Sequence, residues 1–258
     1  MLKTFSRFKE HKFLFSELVK RDFKKKYKNT YLGMVWSILS PLLTLLIMSI
    51  VFTHFFGQSQ PHYIIYLFCG NIIFSFFTDS TNGGMGSLLG NADIFTKINV
   101  PKYLFLFSRN VSALINFGLT LAVFFIFCIL DGITFTWGFF NLIIPICCLI
   151  VFNLGVGLIL SALFVFFRDM QYLWSVFTML LMYLSAIFYT IDSFPPFAQE
   201  LFLFNPVYVY IKYFRLIVID NSFPSIQYNL LAIGYAVVAF AIGALCYKKW
   251  NHRFLYYV

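Results

Sequence analysis

The sequence predicts an all-α integral membrane protein of six transmembrane helices. It adds an N-terminal amphipathic interface helix and re-entrant outer helices between spans five and six. Three observations carry this reading. Of 258 residues, 60% are hydrophobic and only 11% charged, with a mean hydropathy of +0.82, whereas soluble domains are about 25% charged. Six long windows contain no Asp, Glu, Lys or Arg, and the basic residues gather almost wholly on one side of them.

A transmembrane helix needs about 20 apolar residues to cross roughly 30 Å of hydrocarbon. The windows run 32–56, 63–78, 111–130, 139–167, 172–191 and 228–247. Their continuous apolar character excludes a β-barrel, whose strands alternate in polarity. The second window is short, so its helix is expected to continue past Asp79 into the Ser/Thr/Asn/Gly stretch that follows. Pro41 and Pro145 lie inside spans and predict kinks, which neighbouring helices accommodate.

Seventeen of the 19 Lys and Arg fall before the first window or at 79–110, 168–171 and 248–258, leaving Lys212 and Arg215 for the other side. The positive-inside rule therefore predicts that both termini are cytoplasmic. The net charge of +9 is then a topology and lipid-headgroup signal rather than a nucleic-acid one. The first apolar run begins at Leu32 and lacks a small-residue cleavage pattern, so no cleavable signal peptide is expected. Cys69, Cys128, Cys147, Cys148 and Cys246 all lie within spans and form no CxxC. They read as small packing residues, not as disulfides or a metal site. The result is a single transmembrane domain over 1–258: a cytoplasmic interface segment (1–31), a six-helix bundle (32–247) and a cytoplasmic tail (248–258).

No carboxylate or cation lies within the windows, and their one imidazole, His54, sits near an outer end. Ion-coupled transporters place such groups in mid-membrane, so an internal proton or sodium relay is not expected. No Gly is followed by Lys, which excludes a P-loop. His11, His54, His62 and His252 are scattered, and neither DxD nor GxSxG occurs. No catalytic residue, metal site or bound cofactor is assigned to this chain. No TVGYG filter or charged ring supports a channel.

Three segments outside the windows have helical patterning. In 12–28, Phe15, Val19, Phe23 and Tyr27 recur at i+4 beside Leu14 and Leu18, and Glu17/Arg21 and Asp22/Lys26 have ion-pair spacing. This predicts an interfacial helix with Lys24, Lys25 and Lys26 in the headgroups, although Asp22 and Lys26 interrupt its stripe. A solvated basic anchor is the plainer alternative. In 91–100, Asn91 can N-cap, Asp93 and Lys97 are spaced as a pair, Ile94, Phe95 and Ile98 form an apolar patch, and Pro101 ends the helix. So short a helix is marginal alone. Its receiver is either a groove on a soluble partner or the inner ends of its own spans. In the outer loop 192–227, apolar pieces at 197–203 and 207–219 flank Asn205-Pro206, and neither is long enough to cross. They read as re-entrant or interfacial. Their aromatic density fits either a headgroup belt or a mouth for a long substrate.

Tyr27-Lys28, then Leu32-Gly33-Met34-Val35-Trp36-Ser37 and Pro41-Leu42-Leu43, then Asn91, Ile94, Lys97 and Pro101, then Phe166-Phe167-Arg168-Asp169, and finally Asn205-Pro206 follow in an order that resembles the membrane (permease) subunit of ABC-2 type polysaccharide exporters. That family moves O-antigen, capsular polysaccharide, teichoic acid or related lipid-linked glycans. The resemblance covers nearly the whole chain. It implies a homodimer in the inner membrane of a bacterium, working with two copies of a cytoplasmic ABC ATPase that binds ATP and Mg. It makes 91–100 the coupling helix, 12–28 the interface helix, and Arg168-Asp169 a candidate inner gate, with a stop-transfer charge as the alternative for that pair.

On this basis the polymer is expected to thread between two copies along aromatic and small polar side chains. Candidate lining residues are Phe52, Phe55, Phe56, Phe74, Phe77, Tyr172, Tyr183 and Tyr189. Two other readings stay open: a lipid or drug exporter of the same architecture, and a membrane-bound transferase.

Overall fold

The computed structural model describes residues 11–56, 62–98, 100–192 and 194–257, with side chains at all of these except 26, 27, 53–56 and 256. Helix α1 (Lys12–Tyr27) precedes a left-handed turn at Asn29 and Gly33 and a 3-10 turn, Gly33–Val35, that leads into α2 (Trp36–Phe56). Helix α3 (Tyr63–Met85) runs past Asp79, as its polar second half allowed. A 3-10 turn (Leu89–Asn91) and a four-residue helix, α4 (Ala92–Phe95), lead to α5 (Tyr103–Leu130). After a 3-10 segment (Trp137–Leu142) come α6 (Ile143–Phe166), α7 (Met170–Leu184), α8 (Pro196–Phe202), α9 (Pro206–Val218), α10 (Ile226–Trp250) and the short α11 (Phe254–Tyr257).

Among the described residues, five helices are long and apolar enough to cross a membrane: α2 with its preceding turn, α3, α5, α6 with its preceding turn, and α10. The α8–α9 pair, bent by 104°, passes the same test only jointly. The bend fits either a broken span or the re-entrant hairpin expected there. The fifth window is corrected. The helix there, α7, has only 15 residues and ends at Leu184, which is about 22 Å of rise. Pro145 is the third residue of α6, just after the preceding 3-10 segment passes into α-helix. Pro41, by contrast, lies well inside α2.

Helix α3 is the hub, with 72% of its window buried against 11% for α2. Its Phe68, Phe76 and Phe77 meet Phe124, Phe117 and Phe152 of the neighbouring spans. Helices α6 and α10 approach closely because Gly155 and Gly243 have no side chain. A Cβ on Gly155 would lie 2.4 Å from the Ala239 backbone, and one on Gly243 would lie 2.4 Å from the Gly155 carbonyl. Ala239 and Gly243 thus act at the small-residue spacing read from sequence, whereas Gly157 packs instead on Gly84 of α3.

Candidate functional site: a polar groove between two ends of the bundle

At the end of the bundle that carries α1, the amphipathic helix is held by a buried charge. Leu18 is buried, Leu14, Phe15, Val19 and Phe23 are half-buried, and Asp22, one turn beyond Leu18, is 3% exposed. Asp22 accepts from Arg21 at 2.8 and 3.2 Å and from the Ser108 hydroxyl at 3.1 Å, and Arg109 Nε lies 3.4 Å away. Arg21 also donates to Asn91 Oδ1 at 2.6 Å. The expected Glu17/Arg21 pair is therefore replaced by Glu17 with Lys20. Lys24 and Lys25 are exposed, and the Lys26 side chain lies outside the described residues.

Asn91 is used by this network, accepting from Arg21 and donating to the Ser87 carbonyl at 2.7 Å. It makes no side-chain cap on α4. The expected ten-residue helix is accordingly a single α turn flanked by 3-10 and turn structure. Within it Asp93, Lys97 and Ile98 are exposed, Ile94 is half-buried and Phe95 is buried against Phe105. The patch is thus split: Phe95 is buried in its own bundle and Ile94 packs partly on the same cluster, while Ile98 stays exposed. Lys102 lies over the rings of Phe95 and Phe254 and donates to the Asn251 carbonyl at 2.7 Å. Burial pushes its ammonium below its ordinary pKa.

A groove of about 510 Å³ rises from this end between α2, α3 and α5. Its polar lining is Thr30 ahead of α2, Ser37, Ser40 and Thr44 of α2, Asn71, Ser75 and Asp79 of α3, and Asn116 and Thr120 of α5, set among the apolar Trp36, Ile72, Phe76 and Phe117. Asn71 to Asp79 is two turns of helix, about 12 Å. The lining offers hydroxyls and amides with one carboxylate at the base, which suits a neutral polyhydroxylated chain. Pro41 also lines it, and has no N–H to give the Ser37 carbonyl one turn back.

The far end is closed by α8 and α9. Asn205 caps α9, its Oδ1 accepting from Val207 and Tyr208, while its amide donates to the Leu184 carbonyl and the Ser185 hydroxyl. Beyond Leu184 the chain leaves the helix but remains buried from Ser185 to Phe188. Arg215 donates to the carbonyls of Ala186 (2.9 Å), Ile187 (3.1 Å) and Tyr66 (3.1 Å), and stacks on the Tyr66 ring. The hydroxyls of Tyr63 and Tyr66 reach the Phe188 and Tyr189 carbonyls, both at 2.7 Å. Arg215, expected in the outer loop, is thus a core residue.

The aromatic candidates do not line the groove. Phe74 and Phe77 are buried, Phe77 against Phe152 and Trp174. Phe52 stacks on Phe188 at 4.6 Å. Tyr172 and Tyr183 are exposed on α7, and the Tyr189 hydroxyl donates to the Tyr183 carbonyl. Phe55 and Phe56 have side chains outside the described residues, as does His54. Arg168 and Asp169 are exposed between α6 and α7, with Arg168 near the Phe164 ring. The sequence signal for the groove was its neutral Ser, Thr and Asn at helical spacing on three apolar spans.

The family model described as ABC-2 type transporter matches residues 14–219. The O-antigen export system permease protein RfbA of Klebsiella pneumoniae is 27% identical over 253 residues, covering 94% of this chain and 95% of that protein. The polysialic acid transport protein KpsM of Escherichia coli is 24% identical over 257 residues, covering 97% and 98%. The capsule polysaccharide export inner-membrane protein CtrC of Neisseria meningitidis is 23% identical over 236 residues, covering 86% and 88%.

Proposed function

The chain belongs to the ABC-2 type transporter family, and from that membership we propose that it is the permease subunit of an ATP-driven exporter moving lipid-linked polysaccharide of the O-antigen or capsule type across the bacterial cytoplasmic membrane. The functions of these relatives support the cargo. The observation that carries the reading is the hydroxyl- and amide-lined groove in a bundle otherwise built of apolar spans. Sugar hydroxyls exchange hydrogen bonds with water for bonds to Ser, Thr and Asn at little net cost, so a chain can slide without being trapped.

Both termini face the cytosol in this reading, and two copies of the chain work with two copies of a cytoplasmic ATPase that binds the ATP and Mg. Ile94, Lys97 and Ile98 present the accessible face of the coupling segment. The Arg21–Asn91 bond passes its displacement to α1. Ile94→Ala/Ile98→Ala is expected to abolish co-purification with the ATPase while membrane insertion persists; undiminished co-purification removes that role. Ser75→Leu with Thr120→Leu is expected to cut glycan export at least tenfold with the ATPase still bound. Normal export by that variant overturns the groove as the path.

A further inference from the structure

The charges along the groove and at the far end of the bundle lean to one sign. Asp79 is the one charged side chain among the described residues that line the groove. A charged cavity of about 470 Å³ beneath it sets Asp22 and Asp79 against Lys25 and Arg109, so that level is balanced. At the far end the connecting segments carry four carboxylates, Asp131, Asp192, Glu200 and Asp220, and only two Lys or Arg, Lys212 and Arg215. Asp131 is answered by His62 at 2.5 Å. Arg215 is 3% exposed and directs its donors to the Tyr66, Ala186 and Ile187 carbonyls. Lys212 is therefore the one accessible Lys or Arg there among the described residues. It meets Asp192 and Asp220 in a third cavity, of about 280 Å³, whose wall also holds Thr190, Tyr66 and Tyr208. Both carboxylates are exposed and Lys212 is half-buried, yet among the described residues none of the three forms an ion pair.

Two carboxylates and an ammonium that border one space without pairing suit a ligand that both donates and accepts. A sugar ring does so: its hydroxyls donate to the carboxylates and accept from the ammonium, in charge-assisted hydrogen bonds. Pockets for drug-sized ligands begin at about 300 Å³, so this smaller cavity takes one sugar unit. A polyanion meets the opposite conditions. Asp79 repels it between helices that screen charge less than open water does, and Asp192 and Asp220 repel it again with one ammonium to set against them. We infer that the exported glycan carries no anionic group in its repeat, and that this far-end cavity holds one of its sugar units as it emerges. The inference rests on the polysaccharide-export reading and narrows it to uncharged glycans. The distinction falls inside the family, since one relative is a polysialic acid transport protein.

The test starts with depletion of the chain in its own bacterium and analysis of the lipid-linked glycan that accumulates inside the cell. Its repeat is expected to contain no uronate, sialate or phosphate. An acidic repeat overturns the inference and leaves the export reading standing. Accumulation of no glycan at all overturns the export reading, and this inference with it. The cavity is tested with the oligosaccharide released from that glycan by mild acid, titrated onto the full chain in phosphatidylcholine nanodiscs. Asp192→Asn with Asp220→Asn, and separately Lys212→Gln, are each expected to raise its half-saturating concentration about fivefold or more, through loss of charge-assisted contacts. Asp192 and Asp220 are exposed, so the melting temperature is expected to stay at the parent value. Unchanged binding in both variants overturns the cavity as the sugar's site. Loss of binding when phosphatidylethanolamine replaces phosphatidylcholine in the nanodisc overturns the sugar in favour of a lipid ammonium.

Discussion

Arg215 does for the stretch beyond α7 what helix N–H groups do inside a helix. In hydrocarbon each unpaired carbonyl costs several kcal/mol, so backbone can leave the helix only where other donors reach it. The Ala186 and Ile187 carbonyls take theirs from Arg215, which also meets the Tyr66 carbonyl, and those of Phe188 and Tyr189 take theirs from Tyr63 and Tyr66. Arg215→Met keeps the volume and removes the donors, and is expected to cost about 3 kcal/mol or more, read as a fall in melting temperature in detergent. Arg215→Lys, with one ammonium for three carbonyls, is expected to recover only part of that. In the sequence Arg215 is merely a cation in a loop, because nothing local reveals that the preceding span stops short of its window and leaves acceptors to be met. Asp22 was similarly illegible. It reads as a flaw in an amphipathic stripe, and only the packing of α1 on α5 brings Ser108 and Arg109 to it.

Helices were legible where periodicity and length sufficed, and misread where a distant partner intervened. The windows located α2, α3, α5, α6 and α10, since about 20 uncharged apolar residues have one stable arrangement in a bilayer. The starts were less visible: α5 begins at Tyr103 rather than at 111 because the half-buried Arg109 lies within the helix beside Asp22 rather than outside it. The 91–100 helix was read too long because Asn91, a good N-cap by type, is drawn to Arg21 and Ser87 instead. Close packing of α6 on α10 gives a test at this scale. Gly155→Leu places carbon 2.4 Å from the Ala239 backbone and must push the helices apart, at a cost of about 2 kcal/mol or more. The expected result is rapid trypsin cleavage of membranes carrying the variant, while Gly118→Leu, with open space around its Cβ, resists as the parent does.

For the molecule as a whole, α2 and the shorter apolar helix α7 leave broad apolar faces uncovered. Leu46, Ile47 and Ile50 on α2 are exposed, as are Leu173, Val176 and Leu180 on α7. Helix α10 also shows apolar side chains outward, but it is fixed along its length by α6, so lipid suffices there. A second copy is expected to cover α2 and α7. Ile47→Trp and Val176→Trp should each lower the dimer fraction in detergent, measured by light scattering, and Ile242→Trp on α10 should not. A monomer in all three, and in the parent, would remove the pairing. The fold class and the helical path were thus open to a reader of the sequence. The charged cavity beneath the groove was not, since its members come from α1, α3 and α5 and meet only when those helices pack.

The clasp at Lys102 has a practical corollary. One ammonium joins the Phe95 ring of α4 to the Phe254 ring and the Asn251 carbonyl near the carboxyl end. An affinity handle or fluorescent fusion attached at the carboxyl end is therefore expected to tug on the turn proposed to seat the ATPase, and a weakened exporter carrying such a label reports on the label.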